Sequence, residues 1–243
     1  MSKPREGRQE VREPAVAGLF YPANAEALRR DIESFYHEVS ATTRSGTIRG
    51  IIAPHAGYIY SGYTAACGYA RLAGAQYDTV VVIAPSHREY FDGVSVYHGS
   101  AYQTPLGSIP VNVALRDRLI GASRRVRASE LGHGEEHSIE VHLPFLQAVL
   151  PDFQLLPLVV GHQTREVCFE HPQPERPAGA GMEKPAGVAA SRRILLLAQD
   201  KRMLGGSAAA GLSVVGTDPV AILGDLHSGP VQRLQAADQA RHH

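Results

Sequence analysis

Two strand-like, largely aliphatic runs constrain the fold of this chain more than any other feature. Thr79-Val-Val-Val-Ile-Ala84 closes on Pro85, and Ile48-Arg-Gly-Ile-Ile-Ala53 closes on Pro54. A strand with one wet face alternates apolar and polar residues, whereas a continuously apolar strand needs cover on both faces. Crossover helices give that cover, so parallel strands in an α/β sheet are the expected arrangement. Helical patterns fall where this demands them. Asn24 can cap a helix carrying Leu28, Ile32, Phe35 and Tyr36 at helical spacing. Residues 61–73 read as a second helix between the two runs. Further on, 93–97 reads as a strand and Pro105-Leu-Gly107 as a turn. Residues 112–120 and 139–150 read as helices, and 153–160 as a last apolar strand. The fold class is therefore α/β, with a central, largely parallel or mixed sheet flanked by helices.

Composition limits the partners. The 243 residues carry 24 Lys+Arg against 24 Asp+Glu. That neutral balance offers no basic footprint for nucleic acid or an anionic membrane. Apolar runs of about five residues fall far short of the ~20 a membrane span requires. The charged start lacks the apolar core of a secretory signal. Cys67 and Cys168, the only cysteines, form no disulfide framework, so a cytoplasmic setting is expected. Composition also divides the chain. All ten Tyr and six Phe lie between Phe20 and Phe169, and nothing from Glu170 onward is aromatic. Aromatic side chains supply the largest burials in a core, and a Pro-, Ala- and Gly-rich stretch rarely buries enough to fold. The expected organisation is an N-terminal tail over 1–10, an α/β domain over 11–165 and a divergent tail over 166–243. That tail reads as partly disordered, or as a change of reading frame in a GC-rich gene.

Histidines follow both aliphatic runs: Ala53-Pro-His55 and Ala84-Pro-Ser-His87. In open α/β sheets, ligands sit in the crevice beyond the carboxyl ends of the strands. If the two strands lie close together, His55 and His87 converge. Neutral imidazole is a common ligand for iron, zinc and copper; the plainer alternative is two loop histidines bonded to backbone. A third cluster, Gly132-His-Gly-Glu-Glu136-His-Ser-Ile-Glu140-Val-His142, matches neither zinc-protease helix pattern. Ser138 reads as a helix cap, which leaves His137 just ahead of a helix as the pocket candidate and His142 packed on that helix. The phosphate-loop and nucleophile-elbow patterns are absent.

Together these motifs resemble a known family. They are Arg12-Glu-Pro-Ala-Val-Ala-Gly-Leu-Phe-Tyr-Pro22, Pro54-His-Ala-Gly-Tyr-Ile-Tyr-Ser-Gly62, Pro85-Ser-His87, Thr104-Pro-Leu-Gly107 and Glu136-His-Ser-Ile-Glu-Val-His-Leu-Pro-Phe145. In this order, over about 11–161, they look like the Memo-like family, whose prokaryotic members are called AmmeMemoRadiSam system protein B. That family is similar in fold to the LigB-type extradiol dioxygenases. The resemblance implies that His55 and His87 hold a mononuclear metal, iron(II) first, with zinc or copper compatible. It implies that His137 is a catalytic pocket histidine acting as acid/base or orienting the substrate, and that Pro54, Gly57, Tyr58, Ser61 and Ser86 line the pocket. A dioxygenase-like redox activity on an unspecified small molecule or peptide follows from the same likeness. So do possible radical-SAM and AMMECR-type partners. The alternatives are a non-catalytic binding protein and an inactive, frameshifted copy. The family's later motifs, including a late cysteine ligand, have no counterpart here. Cys168 falls too early for that role, and Asp200, Asp225 and His227 are the tail residues that could supply a third ligand.

Overall fold

A residue apolar on both faces must sit inside a sheet, and the run at 79–85 does so. β3 (Thr79–Pro85) is buried at every position. It pairs in parallel with β8 (Gln154–Val160) on one side, in register from Thr79 opposite Gln154 to Pro85 opposite Val160. On its other side it pairs in parallel with β9 (Ile194–Ala198). The computed structural model describes residues 10–39, 48–162 and 194–198, and the tail acids Asp200 and Asp225, with His227 and Cys168, lie outside them. β9 is thus an inner strand of the main sheet, although it lies beyond the compositional break near 165.

The other strands of this sheet are β2 (Gly50–Ile52), β4 (Val94–Tyr97) and β7 (Val126–Ser129). Their order is β2-β9-β3-β8-β4-β7. All neighbours are parallel except β4 and β8, so the sheet is mixed. Proline inside β8 looks out of place, since it cannot donate to a ladder. The β4 ladder covers Val160, Val159 and Leu158 and ends just before Pro157, so the missing N–H breaks no bond on that side. A second sheet has β1 (Val11–Arg12) parallel to β5 (Ala101–Thr104), which forms a hairpin with β6 (Gly107–Pro110) around Pro105-Leu106.

Helices cover the sheet as the aliphatic runs require. α1 (Ala25–Glu38) is capped by Asn24, whose Oδ1 accepts from the Ala27 N–H at 2.9 Å, and it buries Leu28 and Ile32. α2 (Tyr58–Tyr69) starts three residues earlier than the sequence pattern suggests and ends in a 3₁₀ turn over Ala70–Leu72. Its first N–H needs no side-chain cap because Tyr58 donates to the Phe20 carbonyl at 2.8 Å. α1 and α2 meet at Gly62, where a Cβ would lie 2.6 Å from the Phe35 ring. α3 (Val113–Ala122) is capped by Asn112. α4 (Leu143–Val149) has Pro144 in its first turn and follows a 3₁₀ turn over Glu140–His142. Ser138 does not cap it, contrary to expectation. Its hydroxyl instead donates to the Pro85 carbonyl at 3.0 Å, tying this loop to the end of β3. The core between helices and sheet is rich in rings, including Tyr58, Tyr69 and Phe145, with Tyr69 stacked on Phe145 at 5.4 Å. Among the described residues no helix is long and apolar enough to cross a membrane.

Candidate metal centre

β2 and β3 run parallel with β9 between them, so their carboxyl ends share one edge of the sheet. His55 lies just past the first end and His87 just past the second. Their rings stand 5.1 Å apart between centroids. The loop between β7 and α4 brings in the third imidazole. His137 lies 4.9 Å from the His87 ring and 5.7 Å from the His55 ring. Each of the three offers one nitrogen, and these nitrogens all lie within 4.8 Å of one another. His87 is exposed, whereas His55 and His137 are half-buried.

A carboxylate underlies two of them. Glu136 is buried and faces away from solvent, toward β3. Its Oε2 accepts from the His87 backbone N–H at 2.5 Å. Its Oε1 sits 3.0 Å from His87 Nδ1 and 3.1 Å from His137 Nδ1, and also accepts from the backbone N–H groups of His137 and Ser138. The His137 contact is close but poorly aligned for a hydrogen bond. Burial alone would raise the carboxyl pKa. The contacts from the His137 side chain, the His87 backbone and ring, and the Ser138 backbone outweigh it and hold the group well below the usual carboxylate range. Burial pushes His55 the other way. With His87 and His137 alongside, its pKa falls from 6.5 to about 4, against a smaller opposing pull from Glu136. At neutral pH its imidazole is uncharged and keeps a lone pair.

The N-terminal segment covers the loop. The Phe20 ring lies 4.6 Å from the His137 ring. Arg12, almost fully buried, reaches the loop backbone and pairs with Glu140, which also accepts from Tyr21 Oη at 2.5 Å and from the N–H groups of Ala15 and Val16.

The expected pocket residues divide. Pro54 and Gly57 flank His55 in the loop that enters α2. The Tyr58 hydroxyl turns inward to the Val141 carbonyl at 3.0 Å. Ser61 donates to the Ala56 carbonyl at 3.2 Å and Ser86 to the Glu89 carbonyl at 2.6 Å, so both hydroxyls are used in closing turns. Two groups that contact this cluster and its loop were not singled out in the sequence. Glu136 neighbours His137 in the motif, but nothing in the spacing says that it turns onto His87. Arg12 opens the first motif, more than a hundred residues from the loop it grips.

The other two histidines of this motif have a different fate. His133 and His142 are buried and bonded to tyrosines, His133 Nδ1 to Tyr102 at 2.5 Å and His142 Nδ1 to Tyr69 at 2.7 Å. Burial pushes each pKa down to about 3, so both are neutral.

Comparison with known proteins places the chain in a family. Residues 12–172 match the family profile described as "Memo-like protein". A "MEMO1 family protein" of Methanosarcina mazei is 44% identical over 162 residues, which are 66% of this chain and 58% of that protein. One of Methanothermobacter thermautotrophicus is 40% identical over 164 residues, 63% of this chain and 59% of the relative. One of Ignicoccus hospitalis is 45% identical over 170 residues, 65% and 59% respectively. The chain thus spans a little under three-fifths of the length of these relatives. Its helix-flanked mixed sheet and the match over residues 12–172, more than half of its length, lead to one conclusion: the chain belongs to the Memo-like family.

Proposed function

We propose that this chain holds one metal ion on His55, His87 and His137, with Glu136 orienting two of the three imidazoles. The observation that carries the reading is the cluster itself, three ligand nitrogens within 4.8 Å of one another above a buried carboxylate. The donor set fits a metal. Ligating histidines characteristically give their other ring nitrogen to a carboxylate, which fixes tautomer and orientation. With Nδ1 of His87 and His137 turned to Glu136, Nε2 of each is left to bind. Three imidazoles suit iron, zinc or copper. We favour iron(II), on the family's likeness to extradiol dioxygenases.

Bound there, iron(II) would supply redox chemistry and open coordination positions for a substrate and dioxygen. The chain's own residues do the rest. Glu136 holds a permanent negative charge beside His87 and His137. Burial keeps His55 neutral and able to donate at physiological pH. Phe20 shields one side of His137, while His87 faces solvent and marks the side from which a small molecule enters. His137, expected from sequence as an acid or base, is on this reading a third ligand. A dioxygenase-type or other redox reaction on a small molecule or peptide is the activity we assign, with radical-SAM and AMMECR-type proteins as candidate partners.

Metal analysis of the full chain, loaded with iron(II) under anaerobic conditions, tests this. We expect about one equivalent in the wild type, on the single-site reading, and background levels in His55→Ala and His87→Ala. Equal metal content in all samples overturns the reading. A second reading, a non-catalytic binding protein, is favoured by one feature. Leu19, Ile59 and Tyr60 are more than four-fifths exposed and surround a groove of about 320 Å³ beside Phe20 and Gly57. Ligand or partner capture that survives in a His55→Ala/His87→Ala double variant supports it.

A further inference from the structure

We infer that Arg12 is a positioning residue for the histidine centre, acting through the backbone of the loop that carries Glu136 and His137. This rests on the metal reading above.

The loop between β7 and the 3₁₀ turn has no regular ladder of its own, so something else must bind its carbonyls. Arg12 does. Nε donates to the His133 carbonyl at 2.6 Å, and Nη2 to the Gly134 carbonyl at 3.1 Å and the Glu136 carbonyl at 2.6 Å. Nη1 pairs with the Glu140 carboxylate. The side chain is only 4% exposed, and its guanidinium lies over the Tyr102 ring, 5.1 Å from the centroid. Its backbone is fixed independently, since Arg12 sits in β1 opposite Tyr102 of β5. One planar fork thus connects the second sheet to three carbonyls within four residues, the last of them belonging to the carboxylate residue beneath His87 and His137.

Two further contacts brace the same loop. At its start, Gly132 has φ +75°, and a Cβ there would lie 2.7 Å from Val159 Cγ1. At its end, Ser138 is tied to Pro85. These fix the ends. Arg12 sets the middle, where His137 and Glu136 must meet two histidines delivered by other strands. A metal centre requires that alignment to within about half an ångström. Lysine keeps the charge opposite Glu140, but a single ammonium cannot reproduce a fork spread over three carbonyls.

The test is cobalt(II) titration of the full chain, read by affinity and by the visible absorption band, with folding checked by circular dichroism. Arg12→Lys is expected to weaken cobalt binding about 10–100-fold, the usual cost of losing an outer-shell contact. Its absorption band should shift toward that of His137→Ala. Glu140→Gln leaves the three carbonyl contacts in place. It should lower the melting temperature but keep the wild-type band, which separates a loss of stability from a loss of alignment. Folded Arg12→Lys with wild-type affinity and band overturns the inference. If Arg12→Lys does not fold, Glu140→Gln decides: a folded sample that has lost the band overturns it, and one that keeps the band supports it. A wild-type chain that binds no cobalt overturns the metal reading itself, and this inference with it.

Discussion

Glu136 and Glu140 lie one helical turn apart in sequence, both are buried, and they are held by opposite kinds of partner. Glu140 faces the N-terminal segment and meets a full cation, Arg12, with the Tyr21 hydroxyl and two backbone N–H groups. Glu136 lies beside the histidine cluster and meets two imidazoles and three backbone N–H groups. The first arrangement is closed, because a cation already neutralises the buried carboxylate. The second is met, among the described residues, by imidazoles and backbone N–H groups rather than by Lys or Arg. One end of this short motif is thus tied to the N-terminal segment and the other to the histidine cluster.

That contrast can be broken in several ways. The largest effect is expected at Glu140. Glu140→Leu strands the buried guanidinium, and losing one partner of a buried pair costs about 3–5 kcal/mol. Urea unfolding measures it, and a loss under about 1 kcal/mol would mean that Arg12 finds other compensation. Acid comes next. His133 and His142 titrate near pH 6.5 when unfolded but only near 3 when folded. Between those values the unfolded chain binds more protons, so stability falls as pH is lowered from about 6.5. The slope is roughly 1 kcal/mol per pH unit for each group. Denaturant midpoints at pH 7 and pH 5 check this, and a flat profile would show that these imidazoles become charged without unfolding.

Glu136→Gln should cost about 10–100-fold in metal affinity with little loss of stability, since the amide oxygen can still accept from backbone. Isothermal titration paired with a melting curve separates the two quantities. If stability falls and affinity does not, the two carboxylates play the same role. The smallest effect is at Asn24, remote from both. Asn24→Ala should cost about 1 kcal/mol through loss of the cap on α1 and leave metal binding unchanged.

Much of this fold was legible in sequence. The continuously apolar β3, the Asn24 cap, the helix near 112–120 and the turn at Pro105-Leu106 follow from local rules, since each depends on neighbours within a few residues. So does the position of His55 and His87 just past two strand ends. The helix over 139–150 was harder, because Ser138, a good cap by type, bonds instead to Pro85 across the fold. The order of the strands was out of reach. Nothing in the run at 194–198 says that it enters between β2 and β3, for apolar strands of similar length are interchangeable in pattern.

The sequence by itself determined which residues could do chemistry here: two histidines past strand ends and a third in a Glu-His motif. Tertiary structure decided which of the motif's histidines joins His55 and His87. His133 and His142 were drawn into the core and bonded to Tyr102 and Tyr69, while His137 was left at the sheet edge beside Glu136. The physical reason is that an imidazole's role depends on the group at its second nitrogen and on its exposure to water. Both are set by residues far away in the chain.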